Sequence, residues 1–116
     1  MRIHHVALRT PNVPRLERFY AGVLGLRVLR RDEVRGSVWL EAGDAIVMIE
    51  PAAPGEPAVP AGTMELVAFA VDDKEAWRAR IERSGGTLEA ESAFTLYFRD
   101  PDGRRVAVST FAPSPN

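Results

Sequence analysis

The chain has 116 residues, 46% of them hydrophobic and 27% charged, with no cysteine and a formal net charge of −1. That length fits one compact domain whose core must stand on packing, because without cysteine there is no disulfide, thiolate nucleophile or Cys-ligated zinc. Fifteen basic residues against sixteen acidic ones leave no surplus to hold a phosphate backbone, which argues against a nucleic-acid partner.

No window of 18 apolar residues exists to cross a bilayer, and the opening Met1-Arg2-Ile3-His4-His5 lacks the apolar stretch of a signal peptide. The expectation is a cytoplasmic protein without a membrane partner. The chemistry left to it is that of imidazole, carboxylate, hydroxyl and guanidinium groups.

Residues 2–10 alternate, so Val6 and Leu8 fall on one face of a strand and His5, Ala7 and Arg9 on the other. Asn12 is a good helix cap, Pro14 suits a first turn, and Val13, Leu16, Phe19, Tyr20, Val23 and Leu24 recur at helical spacing until Gly25. Three strands follow at 26–31, 35–41 and 45–50, the last two joined by a tight turn at Gly43-Asp44. From 51 to 62 prolines and glycines crowd a stretch that reads as a linker.

Beyond the linker the grammar repeats. Residues 64–71 alternate as a strand, and Asp72 with Glu75 reads as a capping box for a helix over 73–84, closed by Gly85-Gly86. Strands are expected at 87–91, 93–99 and 104–111, with the turn Asp100-Pro101-Asp102-Gly103 before the last. The segment His5-Val6-Ala7-Leu8 matches Leu66-Val67-Ala68-Phe69 at an offset of 61, as Gly25 matches Gly86. Both halves therefore read βαβββ, an α+β class with module 1 at 1–50, a linker at 51–62 and module 2 at 63–112.

One helix covers only one face of its sheet. Pleat parity gives that face Val6, Leu8, Val38, Leu40, Val47, Ile49, Val67, Phe69, Phe94, Leu96, Phe98, Val106 and Val108, a conventional core. The opposite face mixes small residues (Ala7, Ala68, Ala70, Ala107) with Trp39, Met48, Leu66 and Tyr97 and with the polar His5, Arg9, Glu41, Glu50, Arg99 and Arg105. A solvated face would be richer in Thr, Lys and Glu. This composition suits either a pocket lining or a surface that meets a second subunit.

In order and spacing, several segments resemble the vicinal oxygen chelate superfamily, which includes glyoxalase I, bleomycin-resistance proteins and extradiol dioxygenases. They are Ile3-His4-His5-Val6-Ala7-Leu8, Phe19-Tyr20 with Val23-Leu24-Gly25-Leu26, Val67-Ala68-Phe69-Ala70-Val71-Asp72-Asp73, and Phe98-Arg99-Asp100-Pro101-Asp102-Gly103. The resemblance implies two βαβββ modules whose curved mixed sheets enclose a cavity, helices outside, often in a homodimer. It also implies four metal-ligand positions in the metal-dependent members, which fall here on His5, Met48, Leu66 and Ala107. Leu and Ala cannot ligate, and a thioether suits soft ions and not the divalent ions these enzymes use. Only His5 keeps a ligand, so no cofactor is expected. The alternative is a divalent metal at His5 with Glu50, which needs a bulge to carry Glu50 two residues back along its strand, or with Glu65 after a register slip.

Three functions fit these residues. The first is a metal-independent protein that binds a small, partly aromatic molecule, an antibiotic or a metabolite, through His5, Arg9, Trp39, Met48, Glu50, Leu66, Tyr97, Arg105 and Ala107. The second is an enzyme, a glyoxalase I-like lyase or epimerase with Glu50 as the candidate base that removes a proton next to a carbonyl. The third is an accessory subunit whose open face serves only dimerisation.

Overall fold

The structure, a computed structural model, describes residues 1–112. It divides into two units, Met1–Ala58 and Val59–Asn116. The first contains β1 (His5–Thr10), α1 (Val13–Glu17), β2 (Arg27–Asp32), β3 (Ser37–Ala42) and β4 (Ala45–Pro51). Its sheet runs β1-β4-β3-β2, with β1 parallel to β4 and the other pairs antiparallel. The second contains β5 (Leu66–Ala70), α2 (Lys74–Arg83), β6 (Ala90–Glu91), β7 (Thr95–Arg99) and β8 (Arg105–Ser109), with the same order, β5-β8-β7-β6, and the same parallel outer pair. Each unit is thus βαβββ, as the repeat predicts. Among the described residues no helix is long and apolar enough to cross a membrane.

Alternation decides which face each strand buries. In the first unit Val38, Leu40, Val47 and Ile49 are all buried, on the two strands that α1 packs against. Leu96, Phe98, Val106 and Val108 do the same under α2. The pattern breaks at Phe94, which parity places in the core but which is 49% exposed with its ring 5.6 Å from that of Phe111. The reason is that β7 starts only at Thr95, so Phe94 precedes the regular pleat on which the parity argument rests.

The first helix is not α-helical to its end. Asn12 caps it as expected, its side chain accepting from Arg15 N–H at 3.1 Å. From Arg18 to Val23 the turns widen to a π-helical segment, with Leu24 N–H donating to Phe19 C=O at 3.0 Å. The buried side chains there are Leu16, Tyr20 and Leu24, spaced by four. Four residues overrun a 3.6-residue turn by about 40°, and a wider turn brings them back into line.

Two terminus assignments shift by one residue. The cap of α2 is Asp73 and not Asp72: Asp73 has extended backbone and its carboxylate accepts from Ala76 N–H at 3.0 Å. Replacing Asp73 by Ala is therefore expected to lower stability by about 1 kcal/mol, while Asp72→Ala should change it by less than about 0.5 kcal/mol, read by urea denaturation of both variants. At the other end, Gly85 carries the positive φ of 86° that matches Gly25 at 78°, so the conformational repeat is offset by 60 and not 61. Gly86 serves a different need, because a Cβ there would lie 3.1 Å from Ile81 Cγ2.

An ion-pair network fastens α2 to β6. Glu91 accepts from Lys74 Nζ at 2.8 Å and from Arg78 Nη2 at 2.6 Å, and Arg78 also pairs with Glu75. Hydrogen bonds from Arg78 and Lys74 hold the Glu91 carboxyl down to about 2. A depressed folded-state pKa contributes stability above the ordinary carboxylate range and loses it as pH falls. Wild type should melt above Glu91→Gln at neutral pH, and the gap should close between about pH 4.5 and pH 2 in a melting-temperature series.

Candidate functional site

The sheet faces opposite the helices hold the residues singled out from the sequence as ligand-binding candidates, whereas Glu65 lies before β5. In the first unit the register sets three rows across the strands. His5, Ile46, Glu41 and Arg27 form one, and Ala7, Met48 and Trp39 the next. Arg9 faces Glu50 in the third. His5 and Ala7 are exposed, and Trp39, Met48 and Glu50 are half-buried.

The partners of these groups differ from what sequence suggests. His4 and His5 are both exposed and touch, Nδ1 to Nδ1 at 2.9 Å with rings edge to face. Arg9 does not stand open: its Nε donates to both oxygens of Glu56 at 2.9 Å, and Ala53 N–H donates to the same carboxylate at 3.0 Å. Those bonds hold the Glu56 carboxyl below its ordinary range, the Ala53 N–H contributing most. Arg30 lies 5.2 Å over the Trp39 ring. The indole Nε1 of Trp39 is buried and, among the described residues, has no hydrogen-bond partner. An unpaired buried N–H is costly to the fold.

In the second unit Leu66, Arg105 and Arg99 share one row, Ala68, Ala107 and Tyr97 the next, and Ala70, Ser109 and Thr95 the third. Leu66, Ala68 and Ala70 are exposed, whereas Ala107 is fully buried among its neighbours. Arg105 stacks over the Tyr97 ring at 4.3 Å, its guanidinium bonded through Nε to Glu89 at 3.0 Å. Arg99 holds the same Glu89 carboxylate from the other side through Nε and Nη2 and also donates to the carbonyls of Thr63 and Gly103. The paired guanidiniums, Arg99 first, keep Glu89 ionised below its ordinary range.

Glu56, Glu89 and the stacking role of Arg30 are absent from the sequence reading. Glu56 lies in the proline-rich stretch where no periodicity assigns a direction. Glu89 precedes β6, and its N–H already bonds Tyr97 C=O at 2.8 Å, a pairing that places it beside Arg99 and Arg105. That signal is a register and not a motif. The Asp100-Pro101-Asp102-Gly103 segment is a turn first, as expected, since Asp100 Oδ1 accepts from the N–H groups of Asp102 and Arg104.

The metal alternative meets two obstacles in geometry. Along β4 the pairings with β1 and β3 run without a shift, so no bulge brings Glu50 to the position of Met48. Glu50 remains four residues, about 13 Å, beyond Ile46, the partner of His5. Glu65 likewise stays outside an unbroken register that begins with Leu66 opposite Arg105. Among the described residues no three His, Asp or Glu side chains gather as a donor set for one ion. The residues present do not fit a divalent metal.

The family model for the Glyoxalase/Bleomycin resistance protein/Dioxygenase superfamily matches residues 2–108, and the chain belongs to that superfamily. Among solved structures it is similar to the fosfomycin resistance protein FosX from Mesorhizobium loti, at 18% identity and a TM-score of 0.80, covering 96% of this chain and 92% of that one. Similarity extends to a lactoylglutathione lyase from Agrobacterium tumefaciens, at 24% identity and a TM-score of 0.73 over 93% and 92% of the two chains. An integron cassette protein from the Halifax Harbour sewage outfall gives 18% identity and a TM-score of 0.79 over 95% and 98%. At these identities the likeness is one of fold. Among curated proteins none matches this chain significantly.

Proposed function

We propose that the protein is a metal-independent small-molecule binding member of the superfamily, a cytoplasmic homodimer that takes a partly aromatic antibiotic or metabolite against its open sheet faces. The observation that carries this reading is the donor set: where the family's metal-dependent members place four ligands, this chain offers His5, Met48, Leu66 and Ala107, one imidazole among groups that cannot hold a hard ion. In place of donors, the faces carry the ring surfaces of Trp39 and Tyr97, each with a guanidinium over it, beside the small Ala7 and Ala68. Such surfaces suit flat molecules that carry a polar group.

Proton abstraction next to a carbonyl needs a stabiliser for the enediolate charge, and the cation opposite Glu50, Arg9, is already bonded to the carboxylate of Glu56. The reading is tested by thermal denaturation in EDTA across a panel of aromatic antibiotics and metabolites, with a parallel assay on methylglyoxal and glutathione. At a ligand concentration of about 100 Kd the stabilisation is about 2.7 kcal/mol, a rise of several degrees. Turnover of the glutathione adduct that depends on added metal would overturn it.

A further inference from the structure

On the second sheet one guanidinium is fixed in place without being used. Arg105 has a side chain only 12% exposed, lies over Tyr97 and donates its Nε–H to Glu89. Its terminal nitrogens Nη1 and Nη2 donate to no acceptor among the described residues. Both reach the surface, because the one buried side-chain polar atom lacking a partner among those residues is Trp39 Nε1. Arg99, by contrast, is spent: its nitrogens go to Glu89, Thr63 C=O and Gly103 C=O. Glu89 already accepts three N–H groups, two from Arg99 and one from Arg105, so it has little capacity to turn toward the free end of Arg105.

From this arrangement we propose that Arg105 is a binding site for the carboxylate of a small planar aromatic acid, which rests on the small-molecule reading above and names the ligand's class. Two terminal N–H groups in one plane match the two oxygens of a carboxylate in the forked geometry that lysine cannot offer. Two guanidiniums against one carboxylate leave a local charge of +1, which balances a monoanion and not a dianionic phosphate. Beside the guanidinium, the row that holds Tyr97 continues through Ala107 to the exposed Ala68, two side chains that add little bulk there. Stacking and the Glu89 tether fix the fork before any ligand arrives, so little side-chain entropy is lost on binding.

The test is an NMR titration of the full chain with benzoate, benzamide and inorganic phosphate, in EDTA, following the Arg105 Nε–H and the amides of Ala68 and Tyr97. Saturable binding of benzoate is expected, with those signals moving and with benzamide and phosphate each about tenfold weaker or worse. Arg105→Lys, which keeps the charge and loses the fork, should weaken benzoate by about tenfold and leave benzamide unchanged. Benzamide binding as tightly as benzoate, phosphate binding more tightly, shifts confined to other residues, or no response to benzoate at all would each overturn the assignment. A panel that yields neutral ligands for the metal-free protein while benzoate fails removes this site alone; a panel that yields no ligand removes the reading beneath it as well.

Discussion

Phe98→Ala is expected to destabilise the protein by about 3–5 kcal/mol and to lower its melting temperature by roughly 10–20 °C. Phe98 is 2% exposed in the core under α2, where it lies beside Val106 in the β7–β8 pairing and continues the buried run from Leu96. Truncation to Ala removes the transfer free energy of the ring and leaves a void whose lining loses its dispersion contacts. Phe94→Ala, four residues earlier and half exposed against Phe111, should cost about 1 kcal/mol or less. Equal losses at the two positions would show that β7 begins earlier than Thr95 and that parity alone had been right.

The second large effect is expected at a polar residue. Asp100 has a fully buried side chain that accepts from Asp102 N–H at 2.9 Å and Arg104 N–H at 3.0 Å and pairs with Arg104 Nη1 at 3.3 Å. Asp100→Ala strands two backbone donors and part of the guanidinium of Arg104, whose side chain is 17% exposed, for a loss of about 3 kcal/mol. Asp100→Asn keeps an oxygen for both N–H groups and should cost about 1 kcal/mol. Urea midpoints of the two variants check this, and an Asn variant as unstable as Ala would assign the effect to charge and not to the turn.

Much of the fold is legible because burial and pleat are periodic. Val38, Leu40, Val47 and Ile49 alternate along their strands, and the same alternation delivers His5, Ala7, Arg9, Met48 and Trp39 to the other face. What depends on one residue of phase is harder to read: Asp72 and Asp73 are equally good caps by type, and Gly85 and Gly86 equally good terminators, until the backbone picks one. The widened turn at Arg18–Val23 leaves no mark in composition. Side-chain partners are harder still, because Glu56 and Glu89 lie outside the regular alternation yet take up Arg9, Arg99 and Arg105. Sequence places all three arginines as open polar groups on one kind of face, and the structure ties each of them to a carboxylate outside the regular alternation. The assignment of His5, Met48, Leu66 and Ala107 to metal positions rests on the resemblance, and which of them carries a donor is a matter of residue identity alone.

The central claim is that this chain holds its ligand without a metal. Its most direct test is the dissociation constant of the best ligand from the panel, measured by calorimetry on EDTA-treated protein and again with zinc, nickel or manganese added. The account predicts equal affinity in all four conditions. Affinity at least tenfold tighter with any one ion, lost again on chelation, would contradict it.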